Sequence, residues 1–384
     1  MPFTGRTIMD ERIRFVLAAS RREGHMTGLC KEFGISRTTG YKWLHRYEAA
    51  GRVQELREYS RRPRHSPGET PAWLVDRIVS LRLAYGWGGR KLQPLLADEG
   101  ISISETTINR VIKRVGLVCE REVAGMAPHR FVRDHPNDLW QMDFKGDYPL
   151  GRGRCYPLSM LDDHSRFALG VFALEGQTGQ AVHDCLVTTF QRYGVPRAML
   201  IDHGIPWWSS NGYGLTWVAV AMIKQGIDLC LSAVRHPQTQ GKVERFHRTL
   251  NESVRHRGHP ETLAEWIRAL DEFVYIYNHL RGHEALDMDV PSSHYQPSDT
   301  PYNPHPPEWL YDSDAPVLPL NTQGCLTWHS QRYFVSEALA NELVQVHTLD
   351  YLLLVQFRHM WIREIDLRTG RSHTLIDKAR NPYV

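Results

Sequence analysis

The chain has 384 residues, 42% hydrophobic and 23% charged, the balance of a water-soluble globular protein that is too long for one ordinary core and is expected to form roughly two to four domains. No run of roughly eighteen apolar residues and no charged start followed by an apolar stretch is present, so no membrane span or secretory signal is expected and the cytoplasm is the expected location; the scattered cysteines Cys30, Cys119, Cys155, Cys185, Cys230 and Cys325 contain no C-x-x-C pair, which argues against a zinc ribbon or a disulfide framework. The net charge of +3 is uneven: Met1 to Asp138 holds 24 Lys and Arg against 16 Asp and Glu, a net of +8, and the remainder 22 against 27, a net of −5, which suits a nucleic-acid-binding arm joined to an acidic, metal-binding core.

Residues 1–57 read as helices. Ile13, Val16 and Leu17 share a face, Leu29 to Phe33 forms a second segment, Gly34-Ile35 breaks it, and Ser36 is an N-cap for a helix from Arg37 to Ala50 paced by Tyr41, Leu44 and Tyr47 or Glu48. This is a helix-turn-helix pattern, with Arg37, Thr38, Lys42 and Arg46 facing outward toward phosphates and base edges; a purely structural three-helix bundle is the alternative. Gly40 runs against the pattern, since glycine costs a helix about 1 kcal/mol relative to alanine. Residues 58–70 form a basic linker, in which Arg61, Arg62 and Arg64 suit either a minor groove or plain solvent. Residues 71–118 form a second helix-turn-helix domain, with an internal turn at Gly86 to Arg90 and Ser104 capping a last helix that carries Asn109, Arg110, Lys113 and Arg114 as DNA contacts. Two such units joined by a basic linker imply a bipartite DNA site. A polar linker, residues 119–138, follows.

Residues 139–285 read as an α/β core. Trp140, Met142 and Phe144 alternate with Gln141 and Asp143, so the aromatics face a core and the carboxylate the other side of a strand. Ala198 to Ile201 is a strand buried on both faces that ends at Asp202, with Gly204 permitting the exit turn. Strands are also expected at Tyr156 to Leu161, Phe167 to Leu174 and Ile227 to Leu231, and helices at Gln180 to Tyr193, Thr216 to Lys224 and Thr262 to His279. Asp162 and Asp163 are read as closing a hairpin turn rather than as metal ligands. From Gln238 to Val254, Val243, Phe246, Leu250 and Val254 gather on one helical face, and Glu244 stands about 100° round from Val243 beside Arg248 and Arg255. Residues 286–319 read as a proline-rich linker, and residues 320–384 as short alternating strands of a small β-barrel.

Trp140-Gln141-Met142-Asp143-Phe144, then Leu200-Ile201-Asp202-His203-Gly204, then the stretch from His236 to Glu252 resemble the three signature segments of insertion-sequence transposases with a retroviral-integrase-type (DDE) catalytic core; Leu161 to Arg166 is similar to the same family's second-strand turn. The resemblance implies a multidomain chain: N-terminal all-α helix-turn-helix units, a central α/β ribonuclease H-like core and a small C-terminal β-barrel that assists DNA binding or subunit contacts. It implies Asp143, Asp202 and Glu244 as catalytic metal ligands for two Mg²⁺ ions, with Mn²⁺ able to substitute. Hard carboxylate oxygens suit that ion, and a metal pair about 3.5–4 Å apart can activate a water or 3′-hydroxyl while stabilising the leaving oxygen. Lys242, Arg245 and Arg248 would then hold the DNA backbone or form a solvated face. The implied partners are double-stranded DNA, both the element's terminal inverted repeats and target DNA, and further copies of the chain in a homo-oligomer on DNA, associated with the nucleoid. Two features depart from the family pattern: His203 stands where asparagine is usual, and Asp202 to Glu244 spans 42 positions, a few more than usual. The competing function is a catalytically silent DNA-binding regulator; a ribonuclease H or resolvase would have no use for two helix-turn-helix units.

Overall fold

The computed structural model describes residues 7–58, 69–118, 133–209, 214–232, 241–312 and 314–376. Arg61, Arg62 and Arg64, most of the second linker and the first residues of the Gln238 to Val254 stretch lie outside them. The chain divides into two compact units, residues 1–71 and 72–384.

In the first unit, α1 (Ile8–Ser20) starts in a capping box between Thr7 and Asp10, α2 is Met26–Glu32, and α3 (Arg37–Ala50) is capped by Ser36, whose hydroxyl accepts from the Thr39 N–H at 3.1 Å. Phe15, Val16, Leu29, Cys30, Trp43 and Leu56 make its core. The expected inward face of α3 is corrected: Gly40 and Trp43 point in, while Tyr41 is 40% exposed. Gly40 is the point of closest helix approach, since a Cβ there would lie 2.6 Å from Cys30 Sγ and 2.9 Å from Phe15 Cζ. The glycine that weakens the isolated helix is thus what lets the helix dock.

The second unit opens with α4 (Ala72–Tyr85), α5 (Gly89–Asp98) and α6 (Glu105–Arg114), packed around Ile78, Leu92, Leu96 and Ile108, with Ser104 capping α6 as expected. The core follows as β1 (Trp140–Phe144), β2 (Tyr148–Pro149), β3 (Arg154–Asp162), β4 (Ala168–Leu174), α7 (Gly179–Tyr193), β5 (Ala198–Ile201), the short pair β6 (Trp208–Ser209) and β7 (Gly214–Leu215), α8 (Trp217–Lys224), β8 (Asp228–Leu231), α9 (Gly241–Arg257) and α10 (Leu263–His279). The main sheet runs β4-β3-β1-β5-β8, antiparallel through β1 and parallel beyond it, with β2 pairing the start of β3. This is the ribonuclease H-like order. Strand alternation assigns the two faces: Trp140, Met142, Leu158 and Met160 pack toward α7 and α8, while Leu161, Ala168 and Val171 pack against Val243, Phe246 and Leu250 of α9 and Trp266 and Phe273 of α10.

Residues 286–319 are corrected from a free linker to a packed strap. Tyr295 stacks on Phe167 at 4.3 Å, the Ser298 N–H donates to Tyr193 O at 2.8 Å, and the Val195 N–H donates to Thr300 O at 2.8 Å, so two aromatic anchors and backbone bonds override a proline-rich composition. Beyond lie β9 (Val317–Pro319), β10 (Cys325–Trp328), β11 (Gln331–Phe334), β12 (Leu343–Leu349), β13 (Leu352–Phe357), β14 (Met360–Asp366) and β15 (Ser372–Thr374). They form an open antiparallel sheet, β15-β14-β13-β12-β9, and a separate β10-β11 hairpin; among the described residues no ladder joins β15 to β9 to close a barrel. The sheet shares its apolar core with α8, and Lys224 pairs with Glu342 across the junction at 2.5 Å.

Gly40→Ala should destabilise the first unit by roughly 1–3 kcal/mol through overpacking, despite the better helix propensity of alanine. Hydrogen exchange of the α3 amides in the full-length chain reads this out; slower exchange in the variant would refute the close-approach account.

Candidate active site

Asp143 sits at position four of β1, on the face that carries Gln141, and looks toward α9. The parallel register pairs Trp140 with Met199 and Gln141 with Leu200; continued two residues, it brings Asp143 level with Asp202 at the carboxyl end of β5. Glu244 stands in the first turn of α9, exposed. Asp143 feels the charges of the other two acids. Burial first, then the Asp202 charge and more weakly that of Glu244, push the Asp143 carboxyl up to about 7 against the opposing Phe144 backbone hydrogen bond. Their side chains do not close on a single point: among the described residues no three His, Cys, Asp or Glu converge tightly enough to hold a metal ion.

Several side chains fix this arrangement, and sequence reasoning missed most of them. Asp202 Oδ1 accepts from the Gly204 N–H at 2.9 Å and from the indole Nε1–H of Trp207 at 2.6 Å. His247, one turn after Glu244, is buried; its Nε2 lies 3.0 Å from Ser159 Oγ and its Nδ1 3.8 Å from Asp143 Oδ2. Burial, then Lys145, pushes this imidazole down to about 4, so it is neutral at neutral pH and the Asp143 contact is not an ion pair. The i, i+3 spacing from Glu244 to His247 was a usable signal; nothing in the local pattern marked Trp207. His203, the departure from the family pattern, lies edge-on to Trp208 at 6.4 Å.

Lys242 is corrected from a DNA contact to an internal anchor. Its ammonium is 2.5 Å from Asp163 Oδ2, the side chains being 17% and 0% exposed, and burial lowers the amine to about 8 although Asp163 opposes the shift. Asp163 Oδ1 also accepts from Gln141 Nε2 at 2.7 Å, so one carboxylate ties β1 to the first turn of α9. Asp162 accepts from the Ser165 N–H and hydroxyl, at 2.8 and 2.6 Å, and closes the turn after β3 as read from the sequence. Arg245 and Arg248 are exposed on α9.

On the helical units, Arg37, Thr38 and Lys42 are exposed along α3, whereas Arg46 is half-buried, donating to Arg57 O at 3.1 Å and lying over Trp43. Arg110, Lys113 and Arg114 are exposed on α6. Asn109 is exposed but engaged locally, its Oδ1 accepting from the Gly89 N–H at 2.8 Å, which caps α5. Two clefts, of about 420 and 650 Å³, are lined by residues that include Phe190, Tyr302 and Arg358 in one and Asn137 and Arg197 in the other. None of the three acids lines either cleft; Asp143 and Asp202 are half-buried and Glu244 is exposed.

Residues 133–237 and 225–291 each match an integrase core domain, residues 39–112 a homeodomain-like domain and residues 11–64 a helix-turn-helix domain. The chain is 25% identical to an uncharacterized 39.2 kDa protein of insertion element IS476 from Xanthomonas euvesicatoria, over 60% of this chain and 67% of that protein. It is 24% identical to an uncharacterized 31 kDa protein of insertion element IS600 from Shigella sonnei, over 69% of this chain and 96% of that protein. It is 26% identical to the Gag-Pol polyprotein of baboon endogenous virus, over 51% of this chain and 11% of the polyprotein. Among solved structures, the HTLV-2 integrase catalytic core domain in complex with magnesium matches at 14% identity and a TM-score of 0.33, over 42% of this chain and 97% of that one. The chain carries an integrase core domain together with helix-turn-helix domains, and its homologues come from insertion elements and retroviruses.

Two outcomes follow. The Asp143 pKa of about 7 exceeds its ordinary 3.8, so folding of the chain in chelator is favoured fully below about pH 4 and loses that favour as pH rises through 7. Asp143→Asn should therefore melt higher than the parent at pH 8, by an amount on the order of 2–4 kcal/mol, and equal it near pH 4; thermal melts across pH measure this, and a constant difference would refute it. Asp163→Ala should cost about 3–5 kcal/mol by stranding Lys242, and Lys242→Met in the same chain should recover most of it; an additive double-mutant cycle would mean that the pair is not coupled.

Proposed function

We propose that the protein is a transposase that binds the terminal inverted repeats of its own mobile element through its helix-turn-helix units, cleaves DNA strands and joins the 3′ ends to target DNA by two-metal-ion phosphoryl transfer. The observation that carries this reading is Asp143, a strand carboxylate whose charge is destabilised by burial and by Asp202 and Glu244. A carboxylate buried beside two further acids is a cost to the fold, and a bound divalent ion is one relief. Asp143, Asp202 and Glu244 would hold Mg²⁺, or Mn²⁺ in its place, and the ions supply activation of the attacking oxygen and stabilisation of the leaving one.

The protein's own residues have separate tasks. Asp143 sits on β1 and Asp202 just past the end of β5, whereas Glu244 stands on a helix tied to the sheet by the Lys242–Asp163 pair. Arg245 and Arg248, exposed beside Glu244, take the DNA backbone. Arg37, Thr38 and Lys42 on α3 and Arg110, Lys113 and Arg114 on α6 read the element end as two contacts. Among the described residues no helix is long and apolar enough to cross a membrane. Cleaving and joining two element ends calls for more than one copy of the chain on DNA.

With labelled element ends and Mg²⁺, the protein should nick and join strands, and Asp143→Asn, Asp202→Asn or Glu244→Gln should abolish both reactions while end binding persists. End binding should weaken steeply with salt, because phosphate contacts release counterions. Unchanged strand transfer in any one of the three variants removes that residue from the site; end binding without any chemistry from the parent favours the silent regulator.

A further inference from the structure

Asp202 is held asymmetrically. Both hydrogen bonds it accepts, from the Gly204 backbone at 2.9 Å and from Trp207 at 2.6 Å, fall on Oδ1, and among the described residues Oδ2 accepts none. Gly204 makes room for this, since a Cβ there would lie 2.9 Å from Oδ1 and 3.0 Å from Oδ2. The indole is rigid: Trp207 is 1% exposed, its ring stacks on Phe144 with centroids 5.2 Å apart and planes 13° apart, and its carbonyl accepts from Thr216 Oγ1 at 2.9 Å, the residue that caps α8. One side chain therefore touches the ends of both strands that carry the aspartates.

We infer that Trp207 is a positioning residue for the metal site, its indole N–H occupying one oxygen of Asp202 so that only Oδ2 is presented to a divalent cation. This rests on the metal-binding reading above. An indole N–H donates and cannot accept, so it fixes a carboxylate rotamer without competing for the ion. Outer partners of metal ligands tune affinity in this way, and their removal typically weakens binding by about ten- to a hundredfold. Phenylalanine at position 207 would keep the stack on Phe144 and delete only the donor.

The test is calorimetric titration of Mg²⁺ and Mn²⁺ into the full chain without DNA, for the parent, Asp202→Asn and Trp207→Phe, with thermal melts alongside. The inference expects the parent to bind, Asp202→Asn to lose binding, and Trp207→Phe to bind about ten- to a hundredfold more weakly at an unchanged melting temperature in chelator. In strand-transfer assays the Trp207→Phe defect should be a raised metal requirement, recovered at saturating metal. Parent-like metal affinity in a folded Trp207→Phe overturns the role of Trp207 and leaves the metal site standing. No binding by the parent, or undiminished binding by Asp202→Asn, overturns the metal reading and this inference with it. If Trp207→Phe fails to fold, the indole N–H spectrum of the ¹⁵N-labelled parent decides: one of its 11 tryptophan signals must shift both on metal addition and in Asp202→Asn, and the absence of such a signal overturns the assignment.

Discussion

The burial of Asp143 beside two further acids at the end of a sheet is the constraint around which the integrase core is arranged. Asp143 and Asp202 are level with one another because β1 and β5 run parallel in a register set by their own buried residues, not by any attraction between the acids. Glu244 adds its charge from α9. The fold can impose this geometry because β5 is buried among apolar side chains on both faces and β1 on one. The neutral His247 beside Asp143 adds no positive charge there.

Charge is handled in the opposite manner one layer away. Asp163, fully buried, is matched by Lys242 and Gln141, and this pairing joins the turn after β3, strand β1 and the head of α9. A satisfied buried ion pair specifies where a helix sits more than it adds to stability. The same short stretch of α9 thus carries a cation turned inward as an anchor, and an acid and two further cations exposed on its outer face.

Much of the core was legible in the sequence because its signals are local. Strand alternation at Trp140 to Phe144 and the buried run at Ala198 to Ile201 located β1 and β5, and N-caps at Ser36 and Ser104 started helices where the sequence places them. What was illegible depended on contacts distant in sequence. Lys242 meets a partner 79 positions away, so helical periodicity left it outside. Gly40 carries no hydrophobic signal, yet it is the inward face of α3. The strap after α10 has a linker's composition, and only the docking of Tyr295 and Tyr302 makes it part of the core. Trp207 was one aromatic among several until Asp202 gave its N–H a partner.

On the proposed metal-binding reading, Asp143 holds a proton in the absence of metal because it is buried beside two further acids, and a divalent cation drives that proton off. Proton release on metal binding tests this directly: calorimetric titration of Mg²⁺ or Mn²⁺ at pH 6 in two buffers of different ionisation enthalpy. The account predicts release of about one proton per chain by the parent, falling away above pH 8 and missing in Asp143→Asn. Metal binding by the parent at pH 6 with no proton release would contradict it.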